Sequence, residues 1–169
     1  DIVISAVRVG QRTQGVLDVT VGPLVNLWGF GPDKRPIKTP SDEQIMAARA
    51  RVGIERLHVE VSAEHATLRK DVPDLYVDLS TVGEGFGADK VAEFLEANGV
   101  HHYLVEIAGA SRSRGVNAKG EPWKLAIQKP TDELEDIQAV IVPDGRAVST
   151  SGSCRNYFEL DGKRYSHFI

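Results

Sequence analysis

The run Ser80-Thr81-Val82-Gly83-Glu84-Gly85-Phe86-Gly87-Ala88 lies between an apolar stretch and a helical repeat, a setting in which backbone groups bind phosphate. N–H groups at a helix start carry partial positive charge, and glycines let a phosphate approach them closely. Gly83, Gly85 and Ala88 match the G-x-G-x-x-A spacing of dinucleotide folds, with Glu106 about 20 residues on. The same glycines would serve a tight strand-to-helix turn with no ligand, and both readings stay open at this point. A Rossmann domain fits poorly. The strands that follow sit close together with turn signals, where that fold needs alternating crossover helices.

A second polar loop runs Val148-Ser149-Thr150-Ser151-Gly152-Ser153-Cys154. Its hydroxyls suit a ligand, yet Ser/Thr/Gly clusters most often make turns, and the G-x-S-x-G form of a nucleophile elbow is missing. None of the five histidines stands in H-x-H or H-E-x-x-H spacing with another, so zinc chemistry has little support. His58 and His65 read as structural or exposed, and His101 and His102 as solvent-facing. His167 follows an aromatic-rich hairpin. Cys154, the only cysteine, permits no internal disulfide and reads as a partly buried structural residue.

The elements that must position these residues follow from local signals. Ile2 to Phe30 is apolar and broken by Gly10, Gly15, Gly22 and Pro23, with a short helix opening at Pro23. Residues 29–40 read as a loop. Ser41 and Gln44 form a capping box before Ile45, Ala48 and Val52 at helical spacing, and Gly53 ends that helix. Strands are expected at Leu57–Val61, Ala66–Arg69 and Leu75–Leu79, then a glycine turn over 83–87. Ala88, Val91, Ala92 and Leu95 continue as a helix that stops at Gly99. Further strands are expected at His102–Ile107, Trp123–Gln128 and Ala139–Val142. Tyr157–Leu160, Asp161-Gly162 and Lys163–Tyr165 form a hairpin with a type I′ turn. The pattern predicts an α+β fold, a mostly antiparallel sheet packed with helices, in one domain over 1–169.

At 169 residues the chain is long enough for a sizeable core. A net charge of −4 and a pI near 5.7 give no global basic field, which argues against nucleic-acid binding by phosphate neutralisation. No apolar run approaches the roughly 20 residues of a membrane span. With Asp1 first and Met46 the only methionine, the chain reads as a trimmed product whose targeting signal is absent.

The segment Asp78-Leu79-Ser80-Thr81-Val82-Gly83-Glu84-Gly85-Phe86-Gly87-Ala88-Asp89 resembles the FAD:protein FMN transferase family, also called ApbE. Three further segments resemble it in the right order. They are Gly15 to Leu24 continued by Leu27-Trp28-Gly29-Phe30-Gly31, Pro122 to Pro130, and Ser149 to Ser153 with Asp161 to His167. Together they cover nearly the whole chain.

The resemblance implies Mg²⁺-dependent transfer of FMN from FAD to a Thr or Ser hydroxyl of a partner flavoprotein, with release of AMP. It implies that His167 is the catalytic base, since histidine suits that task near neutral pH. It implies that the Thr81 carbonyl binds the metal. Val16, Leu17, Asp18, Asp78, Glu84 and Ile169 line the FAD site on the same grounds, several through backbone atoms. The implied partner is a flavin-carrying subunit of a redox-driven ion pump or electron-transfer complex. The implied location is the periplasmic side of the cytoplasmic membrane, held there by a lipid anchor.

Some positions depart from the family pattern. Glu84 stands where many relatives have lysine, Cys154 where an aromatic is frequent, and Phe168 where an aliphatic is usual. The chain stops at Ile169, before the family's D-P-x-T-G motif and the Asp and Thr that complete its metal site. It therefore reads as a core segment of the transferase. Two alternatives remain beside transfer: Mg²⁺-dependent hydrolysis of FAD to FMN and AMP, and non-catalytic FAD binding.

Overall fold

The computed structural model describes residues 1–32, 38–131, 136–153 and 156–168. Cys154, Ile169 and part of the expected 29–40 loop lie outside the described residues. The helices are α1 (Ile2–Arg12), α2 (Gly22–Leu27), α3 (Asp42–Arg49) and α4 (Ser80–Ala97), with a 3-10 turn at Ile54–Arg56. The first strands are β1 (Leu57–Val61), β2 (Ala66–Lys70), β3 (Tyr103–Ile107) and β4 (Ala110–Arg114). They are followed by β5 (Leu125–Gln128), β6 (Ile137–Ile141), β7 (Val148–Ser149), β8 (Tyr157–Leu160) and β9 (Lys163–Ser166). Every pairing is antiparallel: β1 with β2, β4 with β3 and β7, β5 with β6, and β8 with β9. The α+β expectation holds.

Contacts divide the chain into two compact units, Asp1–Thr81 with Asn156–Ile169, and Val82–Arg155. In the first, α1 buries Ala6, Val7 and Gly10 along one face. This corrects the reading of residues 2–30 as short broken pieces. Gly10 does not interrupt the helix but permits close approach: a Cβ there would stand 2.9 Å from both Ile54 Cγ1 and the Leu17 carbonyl. α3 starts as the capping box requires. Ser41 Oγ accepts from the Gln44 N–H at 3.3 Å, and the Ser41 N–H donates to Gln44 Oε1 at 2.9 Å.

In the second unit, α4 packs Ala88 and Ala92 against Tyr103 and Val105 of β3, with Leu95 and Ile107 at the margin. The helix begins at Ser80, so Gly83, Gly85 and Gly87 are helical residues and not the turn their composition suggests. Glycine in a helix interior costs about 1 kcal/mol relative to alanine. Over 18 residues the burial of the alanine face outweighs that local preference. Space requires only one of the three to be small, since a Cβ on Gly87 would lie 3.1 Å from Ile107 Cδ1 and the other two face nothing within 4 Å.

Two strand expectations also change. Leu75–Leu79 forms no strand: Leu75 is buried, and the Asp78 N–H donates to the Val19 carbonyl at 2.7 Å. Ala110–Arg114, which carries no β-branched residue, is a strand. The Ala108-Gly109 turn (φ 49° and 97°) folds it onto β3, and its Ala110, Ser111 and Ser113 are buried.

Candidate functional site

The β8–β9 hairpin forms as its turn residues dictate. Asp161 and Gly162 have φ of 51° and 71°, the pair of positive values a type I′ turn needs. Tyr157 then pairs with Ser166, and Phe158 with Tyr165. Side chains two apart on a strand share a face, so His167 continues the face that carries Tyr165. Tyr165 and Phe158 stack at 5.4 Å between ring centroids.

The end of α2 meets this face. Trp28 closes the helix, the Gly29 N–H donates to the Asn26 carbonyl, and the Phe30 N–H donates to the Val25 carbonyl. That is a Schellman motif, and Gly29 takes its left-handed position with φ 75°. Trp28 stacks on Tyr165 at 5.5 Å, and Phe30 packs on Phe158 at 5.3 Å. Phe30 also meets the His167 ring edge-on at 6.4 Å and 64°.

His167 is half-buried, and its Nδ1 lies 3.3 Å from the Asn156 carbonyl oxygen. A carbonyl only accepts, so Nδ1 carries the proton of this contact. In the neutral ring the lone pair then sits on Nε2. Phe168 covers another side of the ring at 4.7 Å. The arrangement is an imidazole held at Nδ1, with the lone pair of the neutral ring on Nε2.

The other expected residues fall into two groups. Val16 is exposed, and the Leu17 N–H donates to Thr13 Oγ1 at 3.1 Å. Asp18 is tied inward. Its Oδ1 accepts from the Thr20 N–H at 2.8 Å and the Thr20 hydroxyl at 2.6 Å, and its Oδ2 accepts from the Ile54 N–H at 3.2 Å. Thr20 is fully buried, and its Oγ1 accepts from the Gly53 N–H at 2.7 Å. The Asp18 carboxylate thus holds residues 18–20 to the 3-10 turn. The chain from 19 to 20 is linked in turn to Asp78 through the Val19 carbonyl.

Asp78 Oδ1 accepts from the Ser80 N–H at 2.9 Å, which caps the start of α4. Thr81 is exposed in the first helical turn. Its carbonyl joins the helical ladder with one lone pair and keeps a second. Among the described residues no hydrogen bond, ion pair or ring contact joins His167 to Asp18, Asp78 or Thr81. Glu84 is exposed on α4 in the second unit, and Ile169 lies outside the described residues.

Magnesium prefers hard oxygen donors, and the Thr81 carbonyl is one. Among the described residues, however, no group of three or more His, Cys, Asp or Glu is placed to hold a metal ion. The fit is partial. A cleft of about 410 Å³ between α2 and α3, lined by Pro23, Asn26, Gln44, Arg51 and Tyr76 among others, contains none of the expected site residues. The geometry at His167 carries more chemistry than that cleft does.

His58 and His102 have structural partners. His58 Nε2 pairs with Asp71 at 2.7 Å, and His102 Nδ1 accepts from the Val116 N–H at 3.1 Å. The polar loop after β7 begins from a paired strand, with Ser149 opposite Ala110. Phe30 and Asn156 escape a reading of the sequence. The period-two spacing of Tyr165 and His167, with Phe158 opposite Tyr165 across the hairpin, is the signal that points to a shared aromatic face.

Comparison with known proteins places the chain. A protein of Salmonella typhimurium named FAD:protein FMN transferase is 57% identical over 169 residues, which is 100% of this chain and 48% of the relative. The solved flavin transferase ApbE from Vibrio cholerae matches with a TM-score of 0.84 at 49% identity, covering 99% of this chain and 52% of that one. The apo form of the flavinyl transferase ApbE from Pseudomonas stutzeri matches with a TM-score of 0.82 at 40% identity, covering 99% and 50%. The chain spans about half the length of the curated relatives it matches. The ApbE family model matches residues 1–169, and the chain belongs to that family.

Proposed function

We propose that this chain is the core part of a transferase that moves FMN from FAD onto a Thr or Ser hydroxyl of a partner flavoprotein and releases AMP. The observation that carries the reading is the His167 ring, with Nδ1 engaged by the Asn156 carbonyl and Nε2 left as the basic atom. A hydroxyl is a weak nucleophile until a base takes its proton. His167 Nε2 accepts that proton as the hydroxyl oxygen bonds to the phosphorus on the FMN side. The bond from that phosphorus to the bridging oxygen breaks, and AMP leaves with the electron pair. Histidine suits this because its ordinary titration lies near neutral pH.

The backbone of residues 16–18, the loop at Asp78 and the start of α4 are the parts we assign to FAD, and family resemblance also assigns Glu84 and Ile169 to FAD binding. Asp18 and Asp78 shape these segments through the hydrogen bonds they accept from Thr20, Ile54 and Ser80. Magnesium bound in part by the Thr81 carbonyl would offset charge on the diphosphate and favour the leaving group. We assign the acceptor to a subunit of a redox-driven ion pump or electron-transfer complex. We place the enzyme, by family resemblance, at the periplasmic side of the cytoplasmic membrane on a lipid anchor. No described helix is long and apolar enough to cross a membrane.

The test is incubation of the full-length protein with FAD, Mg²⁺ and a threonine-bearing acceptor peptide, beside the same peptide with valine at that position. Covalent flavin on the threonine peptide alone supports transfer. AMP release with neither peptide labelled replaces transfer by hydrolysis, and flavin binding with no AMP replaces it by storage.

A further inference from the structure

A base works only if its basic nitrogen is held toward the proton it takes. The Asn156 contact sets which nitrogen of His167 is protonated, but one hydrogen bond still lets a ring pivot about it. A second contact at another point of the ring removes that freedom. Phe168, the next residue in the chain, lies on the ring at 4.7 Å, and Phe30 adds the contact from another element, meeting the ring edge-on at 64° with centroids 6.4 Å apart. Edge-to-face contacts between aromatic rings are directional, so Phe30 constrains orientation as well as distance.

Phe30 is itself fixed from two sides. Its N–H is bound by the Val25 carbonyl at 3.0 Å within the Schellman motif, and its ring packs on Phe158, which is buried in β8. Trp28, two residues earlier, grips Tyr165 on the neighbouring strand and makes no ring contact with His167. The helix end therefore presents two aromatic side chains to one hairpin, and only Phe30 reaches His167.

We infer that Phe30 is a positioning residue for His167: it holds the imidazole against the Asn156 carbonyl so that Nε2 faces the acceptor hydroxyl. The inference rests on His167 being the general base of the proposed transfer. It assigns a catalytic consequence to a residue that touches neither flavin nor metal in the proposed reaction.

The experiment compares full-length Phe30→Leu, Phe30→Tyr and Trp28→Leu by histidine side-chain NMR and by steady-state flavin transfer. The parent protein shows the neutral His167 ring with its proton on Nδ1. Phe30→Leu mixes the two tautomers and lowers kcat by about ten- to a hundred-fold, as expected for a misplaced catalytic group. KM for FAD stays within about two-fold, since binding is not the step affected. Phe30→Tyr keeps an aromatic edge and retains both signatures, which also covers the case in which Phe30→Leu folds poorly. Trp28→Leu loosens the same helix end, yet leaves tautomer and kcat within about two-fold of the parent.

Unchanged tautomer and kcat in Phe30→Leu would overturn the inference. So would equal losses in Phe30→Leu and Trp28→Leu, which would make the cluster a general support of the hairpin. Full transfer by His167→Ala would remove the general-base reading instead, and is recognisable because the tautomer change in Phe30→Leu would still be seen.

Discussion

Asn156 and His167 stand opposite each other one step beyond the Tyr157–Ser166 pair, with the imidazole Nδ1 3.3 Å from the carbonyl oxygen. The bond joins a side chain to the backbone across the hairpin, so the hairpin register sets the tautomer of the base. A slip of one residue would turn His167 to the opposite face.

Replacing His167 with alanine removes the proposed proton acceptor and leaves the proposed FAD contacts in place. Transfer should fall by about a hundred- to ten-thousand-fold, the usual worth of a general base. FAD affinity, followed by flavin fluorescence, should change by no more than a few-fold. A large loss of affinity would instead make His167 a flavin contact.

Thr20 is the buried centre of the network that shapes residues 18–20. It donates to Asp18 and accepts from the Gly53 N–H. Thr20→Val keeps the shape but strands the Gly53 N–H and removes one of the three hydrogen bonds to Asp18, and should cost about 2–3 kcal/mol. Thr20→Ser keeps the hydroxyl and should cost about 1 kcal/mol or less for the lost methyl. Urea denaturation of the two variants measures the difference. Equal losses would show that the methyl, and not the hydrogen bonds, matters.

A pH dependence follows from Tyr103 and Glu96 in the second unit. The Tyr103 hydroxyl donates to the Glu96 carboxylate and is the main reason that this carboxyl is held below its ordinary range. Burial opposes the shift, and Arg114 and Arg112 add to it. Burial first, then the same bond, pushes the Tyr103 hydroxyl up. A depressed carboxyl gives stability that is full above its unfolded value and is lost as pH falls through the folded one. A raised hydroxyl gives stability that is full below its unfolded value and is lost as pH rises through the folded one. The bond therefore stabilises between the carboxylate and phenol ranges. Tyr103→Phe should be less stable than the parent near neutrality, and the gap should narrow in acid. Denaturation midpoints across pH test this, and a gap independent of pH would contradict it.

Local signals that carry their own mechanism proved readable in the sequence. Ser41 and Gln44 satisfy each other's backbone groups within one turn, and Asp161-Gly162 dictates a hairpin by its positive φ angles. Features decided by distant packing did not. Gly10 resembles a helix breaker until Ile54 is seen against it, and the glycines after Thr81 resemble a turn until Ala88 and Ala92 are seen on β3. Ala110–Arg114 has the composition of a loop and becomes a strand by pairing with β3 and β7. At the candidate site, family resemblance points to His167, whereas Asn156 meets it through a backbone carbonyl that any residue would supply. Asp18 also has a structural task that its type does not reveal, since its carboxylate accepts from Thr20 and Ile54.

The most direct measurement of the account is the stoichiometry of a single round of reaction by the full-length protein with FAD, Mg²⁺ and a threonine acceptor. One AMP is expected for each flavin bound covalently to the acceptor hydroxyl, with both products suppressed together in His167→Ala. AMP formed in excess of labelled acceptor, or labelling that persists without His167, would contradict it.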